Sequence, residues 1–97
     1  MKIVLLKPAI NDLKEIRAYL SDFGEAPPRK FRESFEKFCG RVSDMPYMFN
    51  QYEHNPVYRK AVIVYDYLVF YRVDESNNTV KVYRVLHGKR NIEPLLE

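Results

Sequence analysis

The chain opens on a short apolar run, Ile3-Val4-Leu5-Leu6 after Lys2, which predicts a strand over Lys2–Leu6. From Pro8 the apolar period lengthens. Ile10, Leu13, Ile16, Leu20 and Phe23 recur near every 3.6 residues, with Asn11, Asp12, Lys14, Glu15 and Arg17 between them. That is the pattern of a helix with one face packed and the other in water. Pro8 fits its first turn, where no N–H is needed, and Gly24 fits its C-terminal stop. Pro27 and Pro28 open a second helix, whose stripe is Phe31, Phe35, Phe38, Val42 and Met45, and Pro46 closes it. Two helices joined by so short a turn form a hairpin, and its apolar faces require a sheet to cover.

Pro46–Pro56 is turn-rich and aromatic, with Tyr47, Phe49, Tyr52 and His54. Such a loop either packs as a lid over one end of a core or offers rings for bases to stack on. Three strands follow, over Val57–Val64, Tyr67–Val73 and Thr79–His87. Tyr65-Asp66-Tyr67 makes one tight turn and Asp74–Asn78, rich in Asp, Ser and Asn, makes the other. Asn91–Leu96 suits a last helical turn. The fold class is therefore α+β in the order β-α-α-β-β-β: a helical hairpin inserted after an edge strand and packed on a mainly antiparallel twisted sheet. Phe31, Phe35, Phe38, Ile16 and Leu20 are expected to be buried against Val62, Val64, Val69 and Tyr71, or against their alternate-face neighbours.

Composition narrows the classes. A chain of 97 residues, 46% of them hydrophobic, supports one packed domain spanning 1–97. Its net charge of +3 is mild and spread along the chain, so any basic patch must come from folding rather than from a run. The one cysteine, Cys39, excludes an internal disulfide, fits a reducing cytoplasm and sits in a helical apolar pattern that suits a buried thiol. Met1–Leu6 is too short for a signal peptide core, and no apolar run approaches the roughly 20 residues of a membrane span. His54 and His87 are the only histidines and neither stands in a metal-ligand spacing. Phosphate loops, dinucleotide fingerprints and nucleophile elbows are absent, so neither cofactor nor metal is implied.

The candidate chemistry lies in the last third. Arg59, Lys60, Arg72, Arg84, Lys89 and Arg90 are set into or just after the strands. Strands place side chains on alternate faces, so several cations could share one surface suited to a phosphate backbone or an acidic partner strand. Two readings stand. In one, His87 is the acid or base of an RNA cleavage, and Arg59, Arg84 and Arg90 hold the phosphate. In the other, His87 caps a strand end and the arginines pair with Glu53, Asp66 or Glu93, or with an acidic partner. Arg72 and Lys81 would then lie in solvent near the hairpin turn.

The element order, together with Tyr67-Leu68-Val69-Phe70-Tyr71-Arg72-Val73-Asp74 and Val82-Tyr83-Arg84-Val85-Leu86-His87-Gly88-Lys89-Arg90, resembles the RelE/ParE superfamily of bacterial type II toxins. The second segment is similar to the end of the ParE-like, plasmid-stabilisation branch, where an arginine, an apolar pair, a histidine, a glycine and a basic pair follow the last strand. Arg59, the first helix around Asp12-Leu13 and Pro46 match as well. Asn91 departs where an acidic residue is common, and Lys7 where a small polar helix cap is usual. The resemblance implies a bacterial cytoplasmic toxin, neutralised as a hetero-oligomer by a cognate antitoxin, with no membrane partner. RelE-like members cut mRNA on the ribosome with a second arginine, a further basic residue and a C-terminal tyrosine. The matching places here are Leu68, Ala61 and Leu96, which can neither hold a phosphate nor move a proton. The resemblance therefore implies the ParE side, an inhibitor of DNA gyrase, with a ribosome-dependent endoribonuclease using His87, Arg59 and Arg90 as the alternative. Target or antitoxin binding falls to Arg59, Arg84, His87, Lys89 and Arg90.

Overall fold

A computed structural model describes residues 1–96; Glu97 lies outside them. The elements run β1 (Lys2–Leu5), α1 (Lys7–Ser21), α2 (Ala26–Asp44), β2 (Arg59–Ile63), β3 (Tyr67–Asp74) and β4 (Thr79–His87), with a final 3-10 turn at Glu93–Leu96. Pro8 and the Pro27-Pro28 pair sit in the first turns of α1 and α2, where a missing N–H costs nothing. Gly24 joins the helices at φ 107, a conformation that side-chain-bearing residues avoid.

The four strands form one sheet in the order β1-β4-β3-β2. β2, β3 and β4 are antiparallel neighbours, whereas β1 runs parallel to β4 at the edge. Both helices lie on one face. Phe31, Phe35, Phe38 and Val42 of α2, with Ala9, Ile16 and Leu20 of α1, pack against Ala61, Val69, Tyr71, Val80, Val82 and Val85. The opposite face carries a second cluster of Tyr52, Tyr58, Phe70, Leu86, Ile92 and Leu96. The sheet is thus covered on both sides, by helices on one and by a loop and the C-terminal turn on the other.

A bulge in β4 explains how its residues divide between the faces. Phe70 pairs with Arg84 but Tyr71 pairs with Val82, leaving Tyr83 as the extra residue. Val82 and Val85 therefore both face the helices although they are three apart. The face of β2 departs from expectation at Val62. Ala61 and Ile63 point toward the helices, so Val62 lies on the other face, 59% exposed. Ile10, Phe23 and Met45, also read as stripe positions, are exposed: Ile10 is off the buried face of Ala9, Asp12, Ile16 and Leu20, and Phe23 and Met45 lie beyond the ends of their helices.

β1 is shorter than its neighbour. Its pairing with β4 ends at Leu5↔Val82, while β4 continues to His87. Beyond that point the side chain of Asp12, on α1, takes the place of a strand. Its Oδ2 accepts the N–H of Val85 at 3.0 Å and the Nε–H of Arg84 at 2.7 Å, and its Oδ1 accepts from Arg84 Nη2 at 2.9 Å. Arg84 Nη1 donates to the carbonyl of Leu95 at 2.9 Å. One buried carboxylate therefore seals the β4 edge, and one guanidinium ties α1 and the C-terminal turn to it. Replacing one partner of such a pair strands the other charge without solvent.

Stability measurements check this architecture. Phe38→Ala should lose about 3–5 kcal/mol in chemical denaturation, because the ring packs against Phe49 and Tyr71 with almost no exposed surface. Val62→Ser should stay within about 0.5 kcal/mol. Asp12→Ala should cost about 3–5 kcal/mol by leaving Arg84 and the Val85 N–H unpaired, and Asp12→Leu combined with Arg84→Met should be milder than either single change. Additive losses in the double variant would contradict the pairing.

Candidate functional site

The cations expected to share a surface are divided by the fold. Arg59 lies at the start of β2, where Nη1 donates to the carbonyl of Phe49 at 2.8 Å and the guanidinium sits 4.9 Å over the Tyr47 ring. It holds the loop after α2. That loop clasps the β2 edge from both sides. Phe49 packs with Phe38 and Tyr71 on the helix face, and Tyr52 packs with Phe70 on the other. The lid reading of the loop holds for these two rings, while Tyr47 stays exposed and donates to Glu75. Lys60 lies 5.6 Å over the Tyr52 ring and Arg72 lies 5.7 Å over Tyr83. Lys81 is 3.0 Å from Asp74, so it is bound within the hairpin rather than left in solvent. Bonds from Asn77, Lys81 and Ser76 hold the Asp74 carboxyl far below the usual carboxylate range.

Arg84 meets neither Glu53, Asp66 nor Glu93. Its partner is Asp12, its side chain is only 21% exposed, and the bond to Asp12 raises its already high pKa. With three of its donors engaged inside the protein, this arginine is a structural tie. Sequence reading placed Asp12 among the solvated positions of α1. The signal that could have found it is spacing: Ala9, Asp12, Ile16 and Leu20 form one buried stripe with a single acid in it.

His87, Lys89 and Arg90 remain together at the C-terminal end of β4. The His87 ring is half-buried, edge-on to Tyr67 at 5.1 Å, and its Nδ1 accepts the N–H of Lys89 at 3.2 Å. The proton of a neutral ring is therefore on Nε2. Burial raises the Tyr67 phenol, with Tyr19 adding to the effect, so Tyr67 stays neutral at physiological pH. Lys89 and Arg90 are exposed, and among the described residues their side chains make no hydrogen bond. Gly88 allows the close approach that shapes this end. Its N–H donates to the carbonyl of Asp66 at 2.9 Å, and a Cβ there would meet that oxygen at 3.2 Å.

Two adjoining hollows flank His87. One, of about 560 Å³, lies between the end of α1 and the β2–β3 turn, with Tyr19, Phe23, Tyr65 and Lys89 in its walls. The other, of about 170 Å³, runs along α1 past Glu15 to Arg90. Arg59 is remote from both. It pairs across to Tyr71, whereas His87 pairs with Tyr67 at the far end of β3. Two strand spacings across and four residues along put their backbones about 10 Å apart in one direction and about 13 Å in the other. The set His87, Arg59 and Arg90 is therefore not assembled around one point.

The places where the nucleases of the superfamily carry polar groups are packed. Ala61 is in the helix-side core, Leu96 is in the opposite cluster, and Leu68 is half-buried against that cluster. Cys39 is no nucleophile either. Burial, with the Glu36 carboxylate beside it, pushes its thiol up to about 11.

No curated protein sequence matches the chain. Among solved structures, a chain in the crystal structure of the intact E. coli RelBE toxin–antitoxin complex is 22% identical, with a TM-score of 0.64, and the match covers 92% of this chain and 98% of that one. A chain of the chromosomal ParDE toxin–antitoxin system from P. aeruginosa is 14% identical, with a TM-score of 0.63, over 90% of this chain and 95% of that one. At such identities the likeness is one of fold, two helices on a mixed, largely antiparallel four-stranded sheet. The family model described as the ParE toxin of the type II toxin–antitoxin system parDE matches residues 3–92, and the chain belongs to that family, within the RelE/ParE superfamily.

Proposed function

We propose that this toxin acts by binding, inhibiting DNA gyrase rather than cutting RNA. The observation that carries the reading is the packing of Ala61, Leu68 and Leu96. A nuclease needs a base, an acid and cations converging on one phosphate, each contributing roughly 10²-fold or more. Here the three matching positions are apolar, and Arg59 and His87 stand two strands across and four residues along from one another. The surface left for a partner is His87, Lys89 and Arg90 with the exposed rings beside them. A RelE-like ribosome-dependent endoribonuclease is the alternative, and the half-exposed His87 is its one supporting feature.

We propose further that a cognate antitoxin neutralises the protein. The similar solved chains come from toxin–antitoxin complexes, and the outer groove of the helical hairpin fits an acidic amphipathic segment. That groove, of about 430 Å³, has Leu13, Phe31 and Phe35 in its floor, with Arg17, Arg29 and Arg32 outnumbering the one acid, Glu25, around it. Opposite charges across such a groove speed association more than they deepen affinity.

Overproduced alone, the protein should arrest growth with altered plasmid supercoiling, and purified protein should inhibit gyrase supercoiling in vitro. Ribosome-dependent cleavage of a translated message, abolished by His87→Ala, would reverse the assignment. Lys89→Glu and Arg90→Glu should each weaken growth arrest. Co-expressed with its cognate antitoxin, the toxin should elute with it as one complex. Separate elution at low micromolar concentration, with arrest unrelieved, would end the antitoxin reading.

A further inference from the structure

Left-handed backbone is needed at few places in this chain, and the residues found there differ in kind. Gly24 takes φ 107 between the helices, and Asn78 takes φ 51 in the β3–β4 turn. Glycine and asparagine are the residues that accept such angles. The β2–β3 turn instead places Tyr65 and Asp66 at φ 60 in succession. Consecutive left-handed residues are the geometry of a tight hairpin turn that favours Asn-Gly. Tyrosine is a poor choice for the first of them. The turn is nevertheless fixed in place, by the Gly88 N–H on the Asp66 carbonyl at 2.9 Å and by the Val64 N–H on Ser34 Oγ at 3.1 Å.

What the tyrosine provides is a ring at the surface. Tyr65 is 40% exposed, and its neighbours across the 560 Å³ hollow, Tyr19 and Phe23, are 58% and 63% exposed. Tyr19 and Phe23 already meet edge-on, with centroids 5.4 Å apart. Three large rings in water around one hollow are unusual on a lone protein of this size, and rigid aromatic anchors dominate binding energy where proteins meet. The charged side chain lining the hollow is Lys89, with His87 behind it. Asp22 and Asp66, exposed beside Phe23 and Tyr65 in the chain, would repel a phosphate backbone. The chemistry therefore fits a protein segment better than a nucleic acid.

We propose that the hollow walled by Tyr19, Phe23 and Tyr65 is the docking site for the protein this toxin inhibits, taking an apolar side chain of that target with an adjacent carboxylate on Lys89. This rests on the reading that the toxin acts by binding another protein. Tyr65 is then a residue kept for recognition at a cost in stability.

The test uses the whole chain and separates these two effects. Tyr65→Asn should fold and melt higher, by about 6–11 °C for a relief near one tenfold step in the folding equilibrium. It should still co-elute with the antitoxin, yet lose growth arrest by tenfold or more in viable count. Phe23→Ser, at a site too exposed to matter for folding, should lose arrest likewise, and both variants should lose capture of gyrase holoenzyme without DNA. Undiminished arrest by a folded Tyr65→Asn overturns the proposal. So does lost co-elution with arrest retained, which would assign the hollow to the antitoxin, and so does capture that requires DNA. If the parent chain arrests growth without altering supercoiling, the gyrase reading fails. The effect of Tyr65→Asn and Phe23→Ser on arrest still decides the hollow.

Discussion

The carboxylate of Asp12 is the constraint on which the end of the sheet that carries His87, Lys89 and Arg90 depends. β4 outruns β1, and an edge buried under a helix cannot leave its N–H groups unpaired. Asp12 supplies the missing acceptor and binds Arg84 in the same step. Its two oxygens thereby set the distance between α1 and β4. Everything at the end of the sheet inherits that distance. The position of Tyr19 and Phe23 relative to His87 and Lys89 follows from how α1 is held, and Arg84 extends the same tie to Leu95. A buried pair of this kind is weak evidence for net stability but strong evidence for a fixed geometry. Either charge alone would be costly, so alternative placements of α1 are penalised.

The second face of the sheet is closed by packing. Here Tyr52, Tyr58, Phe70, Leu86, Ile92 and Leu96 fill it, and the Tyr58 hydroxyl fixes the C-terminal turn through the carbonyl of Leu96 at 3.0 Å. Leu96 belongs to this cluster and Leu68 packs against it, whereas Ala61 lies in the core under the helices.

Much of the architecture was legible because local signals agreed with one another. The prolines mark both helix starts, Gly24 marks the stop, and the Phe31/Phe35/Phe38 stripe meets the sheet. Even the bulge is foreshadowed by Val80, Val82 and Val85, where the alternation skips a step. Long-range choices were not legible. The partner of Arg84 lies 72 residues away, and no periodicity reports which of 13 acids it meets. Val62 and Ala61 are both apolar, so only the pairing register decides which faces the helices. Of the candidate site, His87, Lys89 and Arg90 do lie together, but Arg59 and Arg84 are engaged internally, which a list of basic residues cannot reveal.

That division of the cations changes what kind of recognition is available. A net charge of +3 over 97 residues gives a weak long-range field, and several of the strand-borne cations are tied down: Arg84 on Asp12, Lys81 on Asp74 and Arg59 on the Phe49 carbonyl. Nucleic-acid affinity grows with the number of phosphates neutralised, and a pair of free cations is too few to carry it. A pair of cations beside exposed rings is instead the composition of a protein-binding hot spot, where aromatic burial supplies affinity and charge supplies orientation. The fold thus engages Arg59 and Arg84 internally and leaves Lys89, Arg90 and a few exposed rings at one end of the sheet.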